Sequence, residues 1–217
     1  MTVGQKFVYW LDRHTTIFKK IETSRADWFE KTFPLEEWLE KDFKIIDIGA
    51  GVCDVTKKLQ KYSKYPVVGI DNVDYRRIGN KKLNTFFYCI SDATQLPFKN
   101  DSFDCVTIFW TLHHIATPFT ALHEICRILK TGGQLIILED LIDDGKKFKN
   151  FFTRIYDKLM NLEFSGHPHS NMSLAKWDKL IRQRFNFIPL QLKEIDWFTR
   201  MNLLKFGLLR YRKIYNC

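Results

Sequence analysis

The segment Ile45-Ile46-Asp47-Ile48-Gly49-Ala50-Gly51-Val52-Cys53-Asp54 runs from an apolar stretch through a Gly-x-Gly turn into a helical pattern. Glycine at both places lets the chain turn sharply and lets a ligand approach the backbone closely. Twenty residues beyond Gly51, Asp71 closes a second apolar stretch, Val67-Val68-Gly69-Ile70-Asp71. A carboxylate in that position accepts hydrogen bonds from two ribose hydroxyls. The pair of segments predicts a nucleoside cofactor at the carboxyl edge of a parallel sheet. Charge narrows the choice of cofactor. A dinucleotide lays its pyrophosphate on the helix N-terminus and uses a third glycine, whereas Cys53 and Asp54 follow this turn and Asp47 precedes it. Two carboxylates beside the turn disfavour a pyrophosphate and suit a ligand with an ammonium or sulfonium centre. No Gly-Lys-Ser/Thr follows, so a triphosphate loop is absent.

These residues need a frame, and the sequence supplies one. Short β-branched or aromatic runs alternate with helical patterns, the signature of a parallel sheet covered by helices. Strands are predicted over Lys44 to Ile48, Pro66 to Ile70, Phe86 to Ile90, Phe103 to Phe109 and Gly133 to Leu138, with helices over Val52 to Ser63 and Pro118 to Leu129. Gly132 and Gly133 mark the passage from that last helix to the fifth strand. Upstream, Phe7 to Leu39 holds two helical patterns broken near Phe33 and Pro34, read as a lid. Downstream, Phe148, Phe151, Phe152, Ile155, Leu159 and Leu162 recur at three- and four-residue spacing as one apolar helical stripe. A helix over Leu174 to Arg184 and two strand-like stretches, Phe187 to Ile195 and Phe206 to Ile214, complete the pattern. One domain over 1–217 is the economical division: an N-terminal helical lid over 1–42, a cofactor-binding core over 43–140, a helical substrate-side insertion over 141–185 and final strands over 186–217.

With 45% hydrophobic and 27% charged residues in 217, the chain has the composition of a globular protein rather than a disordered one. No apolar run approaches the roughly 18 residues of a membrane span, and the stretch around Phe7 to Trp10 is broken by Asp12 and Arg13, too short for a signal peptide. A cytoplasmic location is the expectation. Five cysteines without a C-x-x-C pair suggest neither a disulfide framework nor a zinc knuckle, and no metal site is assigned. The net charge of +9 divides unevenly: residues 1–145 carry 19 basic and 20 acidic side chains, and residues 146–217 carry 15 and 5. The excess positive charge therefore belongs to the acceptor side or to the sheet edge.

The motifs together resemble class I S-adenosylmethionine-dependent methyltransferases, in the group that includes the ubiquinone and menaquinone biosynthesis enzymes. The resemblance runs from Phe43 to Glu139. Asp47-x-Gly49-x-Gly51 is similar to the family's first motif, which cradles the methionine part of the cofactor. Asp71 matches the acidic residue on the ribose, and Ser91-Asp92-Ala93 matches the motif whose carboxylate accepts from the adenine amino group. Trp110-Thr111-Leu112-His113-His114 corresponds to the loop after the fourth strand. Two departures stand out: Cys53 replaces a third glycine, and Thr131 stands where proline is common. The resemblance implies a Rossmann-like α/β fold, a mostly parallel seven-stranded sheet with helices on both faces, and S-adenosyl-L-methionine held by Asp47, Gly49, Ala50, Gly51, Asp71, Asn72, Asp92, Ala93 and Trp110.

Several residues admit two readings. His113 and His114 lie nearest the expected methyl position, as base or acceptor-positioning group, or else as packed or hydrogen-bonded members of the loop. Glu139 and Asp140 end the fifth strand, where they orient an acceptor or, for Asp140, cap a helix. Trp110 lies on the cofactor or packs in the core. His167-Pro168-His169 faces the acceptor, contributes to a metal site or is a surface turn. For the acceptor itself, a small-molecule or lipid-like compound ranks ahead of RNA or protein docked on the basic third, and ahead of a non-catalytic binding module. The aromatic stripe with the basic tail would suit peripheral contact with an anionic membrane surface. The basic residues of Phe206 to Tyr215 fit equally an exposed final strand at the sheet edge, where they discourage strand addition. Nothing in the sequence specifies an oligomeric state.

Overall fold

The computed structural model describes residues 16–76, 78–82, 84–142, 150–151, 170–197 and 204–215. Helices α1 (Thr16–Thr32) and α2 (Leu35–Trp38) lead to β1 (Ile45–Ile48). Then follow α3 (Asp54–Leu59), β2 (Val68–Asp71), α4 (Ile78–Lys81), β3 (Phe87–Ile90) and β4 (Phe103–Phe109). A 3-10 turn (Leu112–His114), the second after one at Gln60–Tyr62, α5 (Pro118–Ile128), β5 (Leu129–Asp140), α6 (Leu174–Arg184), β6 (Phe187–Trp197) and β7 (Leu204–Lys213) complete the order. The apolar stripe over 148–162 and His167 to His169 lie outside the described residues, apart from an exposed Phe151.

The seven strands form one sheet in the order β3-β2-β1-β4-β5-β7-β6. β1 to β5 are mutually parallel and β7 runs antiparallel to both β5 and β6. Parallel strands covered on both faces need apolar side chains on both, and β1 supplies them with Ile45, Ile46 and Ile48, all buried. On one face α5 and α6 cover Ile46, Ile48, Ile108, Ile137 and Leu209. On the other, α1, α2 and α3 cover Ile45, Phe109, Ile136, Leu138 and Leu208. α5 opens on Pro118 at its first position, where the missing N–H costs nothing. α1 is no detached flap: Phe29 and Ala26 are buried, and Lys58 of α3 bridges to Asp27 and Glu30 at 2.7 Å each.

The final strands depart from expectation. β7 is an interior strand and β6 holds the edge. Leu208, Leu209 and Tyr211 are buried on alternate faces, which an edge strand does not require. Lys213, expected on the outside, is 1% exposed. Its Nζ donates to the carbonyls of Cys126 (2.9 Å) and Leu129 (2.6 Å) and to Asp101 (3.1 Å). Those carbonyls lie at the end of α5, where a helix has acceptors without intrahelical partners, so the ammonium caps the helix from below. Arg210 likewise turns inward, donating to Gln134 Oε1 at 2.8 Å and lying 4.9 Å over the Trp38 ring. Cys126 is buried and disulfide-bonded, which the spacing of the cysteines did not suggest.

Candidate functional site

The carboxyl ends of β1, β2 and β4 bring the predicted residues together. After β1 the chain passes through left-handed conformations at Gly49 (φ 72°), Gly51 (φ 51°) and Cys53 (φ 65°). The Gly49 and Ala50 amides both donate to the Ile70 carbonyl at 2.9 Å, which ties the turn to the end of β2. The two glycines meet different demands. A Cβ on Gly51 would meet nothing within 4 Å, so open space lies beside it; a Cβ on Gly49 would collide with Thr111. Cys53 occupies its strained position with no glycine's freedom, and burial pushes its thiol pKa far up.

Asp71 fixes this turn from the neighbouring strand. Its Oδ2 accepts the Gly51 amide at 2.9 Å and its Oδ1 the Asn72 amide at 2.8 Å. Desolvation outweighs these bonds and raises the carboxyl to about 6. Asp92 is exposed in a turn after β3, with Oδ1 accepting both the amide and the hydroxyl of Thr94 at 2.8 Å. Ala93 beside it packs on the core.

Asp47 is placed otherwise than a ligand-facing group would be. It is 2% exposed, and its oxygens accept the hydroxyls of Thr56 (2.6 Å) and Thr107 (2.8 Å). Burial raises it to about 6 as well. It braces β1 against α3 and β4 beneath the turn. Asp54, the other carboxylate read beside the turn, accepts from Thr23 and Asn80 and so links α3 to α1 and α4.

Trp110 follows β4 at φ 49°, its amide donating to Leu138 at 2.6 Å. Phe206 lies 5.4 Å from its ring, and the Arg25 guanidinium 4.2 Å over it. The ring thus takes part in a wall of aromatic side chains, while its buried Nε1 makes no hydrogen bond among the described residues. His113 is fully buried, bonded through Nδ1 to Glu139 Oε2, with Nε2 4.0 Å from Asp140 Oδ2. His114 is half-buried, its ring 4.1 Å from that of His113. Of the two histidines, only His114 has surface to offer an acceptor. Glu139, read as an acceptor-orienting group, is wholly buried and instead accepts the amides of Thr111 (2.9 Å) and Leu112 (2.7 Å).

Thr56 and Thr107 were not singled out in the sequence, and Thr111 and Glu139 were named there without these hydrogen-bonding roles. Thr107, a hydroxyl between Val106 and Ile108 in a buried strand, carries the one local signal, since a buried polar group must find a partner. Among the described residues no group of three or more His, Cys, Asp or Glu is disposed to hold a metal ion, and no helix is long and apolar enough to cross a membrane.

A nucleoside with a methionine arm fits these residues: open space beside Gly51, a half-buried carboxylate with lone pairs to spare at Asp71, and an exposed carboxylate at Asp92. Comparison with known proteins agrees. Residues 46–137 match the family described as methyltransferase domain. The demethylmenaquinone methyltransferase of Streptomyces avermitilis is 33% identical over 110 residues, covering 51% of this chain and 48% of that protein. The ubiquinone/menaquinone biosynthesis C-methyltransferase UbiE of Blochmanniella floridana is 34% identical over 124 residues, covering 53% and 47%. The chain thus spans about half the length of these curated relatives. In fold it is similar to the geranyl diphosphate C-methyltransferase of Streptomyces coelicolor, solved with S-adenosyl-L-homocysteine, at a TM-score of 0.67 and 10% identity over 90% of this chain and 82% of that one. Residues 46–137 thus match a methyltransferase-domain family, and the strands and helices built around them share the Rossmann-like fold of class I methyltransferases.

Proposed function

We propose that this chain transfers a methyl group from S-adenosylmethionine to a small, lipid-like acceptor with a quinone-type ring, acting as a single domain in the cytoplasm. The observation that carries the reading is the convergence of the glycine turn, Asp71 and Asp92 on one edge of the sheet. The relatives' names supply the acceptor class. When bound, the cofactor supplies an electrophilic methyl group on a sulfonium.

The chain's own part is to bind and align. Gly49, Ala50 and Gly51 shape the cradle for the methionine arm, with Asp47 bracing it from beneath. Asp71 accepts the ribose hydroxyls, Asn72 lies beside it, and Asp92 with Ala93 receives the adenine. Trp110 closes the opposite wall. Alignment alone is worth on the order of several kcal/mol of barrier, and a base is needed only for a nucleophile that must lose a proton. His114 is the group placed for that; His113 holds the loop.

The basic third favours an RNA or protein acceptor less than its charge suggests, because Lys213 and Arg210 are engaged within the fold. The remaining exposed cations, such as Lys176, Lys179 and Arg184, suit peripheral contact with an anionic surface. Calorimetry with S-adenosylhomocysteine tests the cofactor reading, and absence of binding would end it. Labelled cofactor incubated with separated lipid, small-molecule, RNA and protein fractions tests the acceptor. Label in RNA or protein alone would overturn the small-molecule reading.

A further inference from the structure

We infer that Glu139 is the positioning residue of the cofactor turn, with His113 as its second strut; the inference rests on the cofactor reading above. A buried carboxylate is costly unless its oxygens are hydrogen-bonded, and similar packing can be had from apolar groups at no loss of stability. Glu139 is wholly buried and pairs with no lysine or arginine among the described residues. All its donors come from three successive residues of one loop: the Thr111 and Leu112 amides on Oε1, and His113 Nδ1 on Oε2. Both amides are taken by Oε1, and the inference gives the remaining hydrogen to His113 Nδ1, donated to Oε2.

What the loop carries gives this grip its meaning. Thr111, held by its amide and by its hydroxyl on the Phe109 carbonyl (2.8 Å), fills the space over Gly49. The turn is thus fixed by Ile70 on one side and by Thr111 on the other. The segment entering α6 is anchored nearby: Ser170 Oγ donates to the His113 carbonyl (3.3 Å), and Asn171 Nδ2 to the carbonyl of Asp140, the residue after Glu139 (3.4 Å). One carboxylate therefore holds the loop that carries both the contact over Gly49 and the His113 anchor of the segment entering α6. Glu139 needs no contact with either ligand to do so.

The test separates positioning from mere support. Glu139→Gln keeps the shape but offers an amide where His113 Nδ1–H needs an acceptor. We expect its affinity for S-adenosylhomocysteine, measured by calorimetry, to fall about tenfold, the usual scale for one unsatisfied buried group, while the melting temperature moves by only a few degrees. His113→Phe should weaken binding likewise, and His113→Asn, which keeps a side-chain N–H near Nδ1, should restore most of it. Affinity within twofold of the unaltered protein for a folded Glu139→Gln would overturn the inference, even with a lower melting temperature. Should that variant not fold, the His113 pair decides: equal binding by His113→Phe and the unaltered protein overturns it. Failure of the unaltered protein to bind would remove the cofactor reading as well, so the two failures are distinct.

Discussion

The Thr111 side chain stands where a Cβ on Gly49 would be built. The requirement for glycine is thus double: a positive φ of 72°, and a neighbour already in the space. Two loops from different strands are interlocked there, so the sequence of one dictates the residue permitted in the other.

Gly49→Ala should therefore be among the most damaging single-methyl substitutions in the chain. The left-handed conformation costs alanine about 1–2 kcal/mol, and displacement of Thr111 adds to that. Pairing it with Thr111→Gly should remove the collision and leave the conformational part. Thermal melting of the two variants measures both contributions; equal melting temperatures would show that Thr111 yields freely.

Asp71 has a carboxyl at about 6 in the cofactor-free protein. Accepting ribose hydroxyls favours its ionised form, so binding should lower this value and release a proton near pH 6. Affinity for S-adenosylhomocysteine is then expected to rise between pH 5 and 7 and to level off above. Asp71→Asn should lower affinity by roughly 1–3 kcal/mol and abolish the pH dependence. Calorimetry in two buffers of different ionisation enthalpy reads the proton directly, and its absence would remove Asp71 from the ribose.

Asp47 makes a prediction about stability. Its folded value, about 6, lies above the ordinary aspartate value of 3.8, so between those limits the folded state holds more protons than the unfolded one. Stability contributed through this group then falls as pH rises from about 4 to about 6, and is flat outside that window. Asp71 contributes a slope of the same sign in the same window, so Asp47→Asn should reduce the slope without abolishing it, as measured by denaturant unfolding at a series of pH values. An unchanged slope would show that Asp47 does not titrate there.

Lys213→Met should lower stability by about 1–3 kcal/mol, because the Cys126 and Leu129 carbonyls lose their donor inside the protein. For a domain of this size that is a fall of several degrees in melting temperature. Affinity for S-adenosylhomocysteine should not change, since the lysine lies at the far end of α5. A variant as stable as the parent would mean that water replaces the ammonium.

The strands from β1 to β4 and the glycine turn were legible because local pattern decides them: Ile45 to Ile48 can only be buried, and Gly49 can only turn. The residues that escaped are those whose meaning is set by distant partners. Lys213 in an alternating stretch reads as a solvated edge charge until Cys126, 87 positions away, supplies an acceptor. Glu139 looks like any polar residue ending a strand, because its three donors belong to another loop. Asp47 belongs to the motif as read, but its direction depends on Thr56 and Thr107, which nothing in the motif names.

The place of β7 bears on how the chain becomes a protein. β6 is made before β7, yet it touches the rest of the sheet only through it, and β7 pairs with β5 across some seventy residues, as Glu139 with Gly207. Contacts of such long sequence separation form slowly. During synthesis β5 must wait with one edge bare and Ile136 and Leu138 incompletely covered, while the first four strands can already pair. Until β7 is made, the wall to which Phe206 contributes beside Trp110 cannot be complete.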